Sequence, residues 1–166
     1  MKRILLFALC SALCSVLCVG AGCDSHDHAD HGHSHDGEDG HGHHHVAPHG
    51  GTLVVLGDEF AHLEFLLEEK TGKLRMYALG AHAEKGVPLN HGELPLQIKT
   101  AAATLEVRLE GVASQLTGES RDNTSVFQAT AAGLIGVAEF EVTIPRIKIR
   151  GTEFTGVSFS FPEGNE

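Results

Sequence analysis

Histidines crowd one stretch of this chain. His26, His28, His31, His33, His35, His41, His43, His44 and His45 are interleaved with Asp24, Asp27, Asp30, Asp36, Glu38 and Asp39, and glycines fill much of the remainder. No lysine or arginine occurs between Arg3 and Lys70, so nothing in this window competes with a cation. Neutral imidazole is the commonest protein metal ligand, and a reference pKa of about 6.5 leaves it largely free at neutral pH. His-x-His spacing sets successive rings on one side of an extended chain, and the glycines let that chain wrap an ion. Imidazole mixed with carboxylate suits zinc, nickel or copper(II) better than calcium or magnesium. Zinc is the first expectation. A soluble spacer is the other reading of the segment, but a spacer needs no histidine.

The elements that hold this segment in place begin before it. Lys2 and Arg3 precede an apolar run from Ile4 to Val19, and the small residues Gly20-Ala21-Gly22 lead into Cys23. That is the layout of an export signal. The run is also short for a spanning helix, which takes about 20 residues. The residues before Cys23 resemble a lipobox, where the thiol is acylated and the chain is cut just ahead of it, although Gly20 stands where that pattern has an aliphatic residue. Cys10, Cys14 and Cys18 would leave with the signal. Cys23 would then be the only thiol of the mature chain, so no disulfide forms within it. The expected organisation is a signal peptide over 1–22, a lipid-anchored tether over 23–47 that is disordered without metal, and a β domain over 48–166. The chain would sit on the cell membrane or outer membrane, facing the periplasm or exterior.

The remaining residues, about 120 of them, suit one domain. Alternating apolar runs bounded by Gly, Pro, Asn and Asp predict strands at Thr52 to Leu56, Phe60 to Leu67, Leu74 to Leu79, Leu94 to Thr100, Thr104 to Leu109, Ser125 to Thr130, Val137 to Ile144 and Glu153 to Phe161. No long window carries a helical period. The fold class expected is all-β, a single small antiparallel β-sandwich or barrel-like domain.

Four histidines lie outside the rich segment. His49 precedes Gly50-Gly51, which permit tight backbone geometry before the first strand. His62 and Glu64 share one face of the second predicted strand, about 7 Å apart along it. A His49, His62 and Glu64 set would make an open zinc-type site. Equally, His62 and Glu64 are polar outward residues of a half-exposed strand. Whether His49 reaches His62 depends on strand register. His82 and His91 fall in loop-like stretches where a solvated histidine is ordinary, and Tyr77 reads as packing.

The run Pro48-His49-Gly50-Gly51, Leu56-Gly57-Asp58, His62-Leu63-Glu64, Gly72-Lys73-Leu74 and Tyr77 resembles the His-Gly-Gly domain of small bacterial lipoproteins, many from planctomycete-type genomes. A similar stretch occurs in periplasmic adaptor subunits of heavy-metal efflux pumps, whose long hairpin this chain lacks. The resemblance spans roughly Pro48 to Pro88. It implies a β-sandwich-like domain, exported metal handling and a transporter or efflux pump as partner.

Lys and Arg number 12 against 22 acidic residues, a formal net charge of −10, which disfavours nucleic acid as a partner. No nucleophile elbow, His-Glu-x-x-His, P-loop or dinucleotide fingerprint is present, so an enzyme is not expected. The leading expectation is a buffer, sensor or transfer protein for divalent transition metal. The alternative is an envelope interaction module docking on a transporter, with the histidine-rich segment as spacer.

Overall fold

Alternation of large apolar and polar residues produces eight strands in the computed structural model, which describes residues 45–165. The signal segment, Cys23 and the tail histidines His26, His28, His31, His33, His35, His41, His43 and His44 lie outside the described residues. The strands are β1 (Thr52–Leu56), β2 (Ala61–Glu68), β3 (Lys73–Leu79), β4 (Glu93–Lys99), β5 (Thr104–Gly111), β6 (Val126–Thr130), β7 (Phe140–Ile149) and β8 (Thr152–Phe161). One turn of 3-10 helix, Ala132–Leu134, precedes β7.

All eight join one antiparallel sheet in the order β1-β2-β3-β6-β5-β4-β7-β8. The sheet curls until its two edges nearly meet, which makes the domain barrel-like. Phe65 of β2 packs on Phe159 of β8 with ring centroids 4.7 Å apart. The chain after β8 then crosses the free edge of β1. Thr52 Oγ1 donates to the Pro162 carbonyl at 2.9 Å, and the Asn165 side-chain amide bonds both the N–H and the C=O of Val55, at 2.8 and 3.1 Å. A side chain thus supplies the pairing that another strand would, and it occupies an edge otherwise open to association. Inside, Leu63, Phe65, Leu74, Met76, Leu96, Ile98, Leu109, Phe127, Val142 and Ile144 form a continuous aliphatic and phenylalanine core.

Local chemistry fixes the turns. Arg150 and Gly151 both have positive φ, 48° and 88°, and link β7 to β8 in a two-residue hairpin. Such turns match the twist of paired strands. Gly72, with φ 68°, has no space for a side chain, since a Cβ would lie 2.3 Å from the Ala131 carbonyl oxygen.

Most strand ends shift from the expectation by a residue or two, and β7 shifts further. Phe60 belongs to the β1–β2 turn, and β7 starts at Phe140 rather than Val137 and runs on through Pro145 to Ile149. Proline is tolerated there because the β4–β7 ladder is short: Gln97, Ile98 and Lys99 pair Thr143, Val142 and Glu141. Extended by two residues, that register sets Pro95 against Pro145. Neither has an N–H, so the ladder stops while β7 continues with β8 alone.

Candidate metal-binding site

β2 is buried on both faces over its first five residues, with His62 and Glu64 wholly inaccessible. Their outward placement on the strand is as the alternation predicts, but the half-exposed surroundings expected for them are overturned. The chain before β1 reverses at Ala47–Gly50, where the Gly50 N–H donates to the Ala47 carbonyl. It folds back along the outer face of β2, placing His49 on Glu64 and His45 on His62.

The first contact is a latch. Glu64 Oε1 accepts the backbone N–H groups of His49 and Gly51 at 2.8 and 2.9 Å, and Oε2 lies 2.6 Å from His49 Nδ1. A buried carboxylate is costly unless its oxygens are satisfied, and here three contacts satisfy them. The imidazole stacks on Tyr77, the cross-strand partner of Glu64, at 3.8 Å and 9° between planes. The glycines follow from the same geometry. Gly50 takes φ 76°, and a Cβ on Gly51 would come within 2.4 Å of the Phe65 carbonyl oxygen. This motif is therefore built as a clamp on the backbone.

The second contact gathers imidazoles. His62 Nδ1 lies 3.1 Å from the Gly80 carbonyl, which only accepts, so Nδ1 carries a proton and Nε2 is the nitrogen available to a ligand. His62 Nε2 is buried with no hydrogen-bond partner, and so is His45 Nε2. Each unsatisfied buried polar group costs about 1–3 kcal/mol. The two rings meet edge-on with centroids 4.7 Å apart, and the ring of His82 lies 6.2 Å from that of His45. Glu59 Oε1 is 3.7 Å from His45 Nε2. His82 is exposed, at the tip of the turn in which the Ala83 N–H donates to the Gly80 carbonyl.

The expected His49, His62 and Glu64 set is thus divided. His49 and Glu64 are joined to one another, whereas His62 faces His45 and the His82 turn. Register decides this: Glu64 is opposite Leu53 and Tyr77, whereas His62, two residues earlier on β2, is opposite Val55 and Leu79. Among the described residues, no group of three or more His, Cys, Asp or Glu side chains is already arranged to hold a metal ion. His82, which reads as an ordinary loop histidine in sequence, gains its neighbours from pairing: Leu79 opposite His62 brings the next turn over that ring. His91 has a structural task, its Nε2 accepting the Lys148 N–H at 3.3 Å where β7 has parted from β4.

A surface cavity of about 530 Å³ on β5 and β6 holds none of these histidines. Arg108 and Arg121 on its wall pair with Glu93 and Glu110 at 3.5 and 3.3 Å. Comparison with known protein families, curated proteins and solved structures finds no match.

Proposed function

We propose that this chain is an exported, lipid-anchored protein that captures divalent transition metal outside the cytoplasm with its histidine-rich segment and presents it at the β domain. One observation carries the reading. His45, the last histidine of that segment, is seated against buried His62 with both Nε2 atoms unpartnered. A segment serving only as a spacer has no reason to end in such a contact. The resemblance to His-Gly-Gly lipoproteins and pump adaptors supports the same direction, with Cys23 as anchor and a metal transporter or efflux pump as partner. Binding is favoured over catalysis because, among the described residues, the buried carboxylate next to the segment, Glu64, is engaged with His49 in holding backbone.

The ion is cargo in this reading. Zinc, nickel and copper(II) all suit imidazole and carboxylate donors. The test is equilibrium dialysis of the full chain against each ion at neutral pH, with metal analysis. Beside it stands a variant in which His26, His28, His31, His33, His35, His41, His43 and His44 are asparagine. Several ions per wild-type chain and a large loss in the variant are expected. No retained zinc, nickel or copper(II) in the wild type would overturn the proposal.

A further inference from the structure

The structure assigns a discrete metal site to the domain itself, formed by His45, His62 and His82 with Glu59 beside it. The inference rests on the capture reading above and adds that one ion is held apart from those on the tail.

The argument starts with His62. It is wholly buried, and its Nδ1–H is spent on the Gly80 carbonyl. That arrangement recurs for metal-ligating histidines, where a backbone acceptor on one nitrogen fixes the tautomer and aims the other nitrogen at the ion. Here the other nitrogen is aimed at nothing, in a place water does not reach. His45 repeats the feature at its own Nε2, with its side chain only 13% exposed. Two buried, unpartnered ring nitrogens side by side have no account as packing, because a phenylalanine or leucine at either position would leave nothing unsatisfied.

The spacing of His45 and His62 agrees with a shared ion, and His82 must turn toward them to join it. Zinc–nitrogen bonds of about 2.0–2.1 Å in a tetrahedron put the centroids of two bound imidazoles about 5 Å apart. The pairs here are 4.7 and 6.2 Å apart. The longer one involves His82, which is solvent-exposed and free to change rotamer without disturbing the core. Glu59 has φ 53° on the β1–β2 turn, and its carboxylate lies toward His45. Three imidazoles and one carboxylate complete four-coordination for zinc or cobalt(II). The Arg150 guanidinium packs near Gly80, so binding relies on neutral imidazole donors and on Glu59 to offset that charge. Because His45 belongs to both tail and domain, an ion on this site also ties the tail to the barrel.

The test uses the full chain loaded with zinc, then challenged with a graded series of chelators, with metal analysis at each step. Wild type is expected to keep one ion after the others are stripped. His82→Ala removes an exposed ligand and should leave the fold intact, as circular dichroism will show. It should weaken the retained ion at least tenfold, and His82→Asp should recover part of that loss. Loading with cobalt(II) should give the visible absorption of a tetrahedral centre in wild type and lose it in His82→Ala. An unchanged retained ion in both His82→Ala and His62→Asn places that ion elsewhere and overturns the site. Several weak ions with none retained also overturns it, while leaving capture by the tail intact. No bound ion of any kind refutes both.

Discussion

Removing the Glu64 carboxylate should unfold the outer layer of β2, and the loss can be estimated from its contacts. Glu64→Ala leaves the N–H groups of His49 and Gly51 and the imidazole of His49 without their acceptor. Hydrogen bonds to a charged group contribute about 1.5–3 kcal/mol each. The full sum is not reached, because the His49 side chain is 41% exposed and water replaces part of what is lost. The expected cost is therefore about 3–5 kcal/mol. For a domain of this size that lowers the melting temperature by roughly 10–20 °C. Glu64→Gln makes a sharper comparison. Its carbonyl oxygen can still accept both backbone N–H groups, while its amide faces His49 Nδ1, which must then accept. The imidazole proton moves to Nε2, and the cost falls to about 1 kcal/mol. Differential scanning calorimetry gives the stabilities, and nitrogen-15 shifts of His49 report the tautomer. An alanine variant melting within a few degrees of wild type would refute the latch. So would a glutamine variant as unstable as alanine, since shape and not hydrogen bonding would then be at stake.

The other predictions concern the seam, a turn and the ion. Asn165→Ala removes both side-chain bonds to Val55, so amide exchange at Val55 should accelerate well beyond that at Val54 or Leu63, by hydrogen-exchange NMR. Gly72→Ala meets the Ala131 carbonyl at 2.3 Å and requires positive φ, so it should cost more than the ~1 kcal/mol of an ordinary glycine replacement, read from denaturant midpoints. Zinc held at the domain should raise the melting temperature with concentration, by about 2.7 kcal/mol of stability at one hundred times Kd, whereas ions held only on the tail should leave it unmoved. Acidification should release tail-bound ions between about pH 7 and 5, since protonated imidazole cannot ligate; retention at pH 4.5 counts against histidine as the ligand.

What could be read in the sequence was whatever depends on neighbours a few residues away. Period-two alternation from Leu105 to Leu109 and from Val157 to Phe161 marks β5 and β8, and the histidine and aspartate composition from Asp24 to His45 marks a segment suited to cations. It also places His62 and Glu64 on one face, as alternation requires. Strand limits near Pro145 escaped it, because whether a missing N–H matters depends on which strand lies opposite. Tertiary structure alone decided the environment of that His62–Glu64 face. The reversal at Ala47–Gly50 lays residues 45–51 over β2 and converts an apparently solvated stripe into a buried one. Register then separated Glu64 from His62, giving one to the His49 clamp and leaving the other facing His45 and the turn that carries His82. Side chains distant in sequence meet only once the sheet has fixed which residues stand opposite, and no local pattern in the chain encodes that distance.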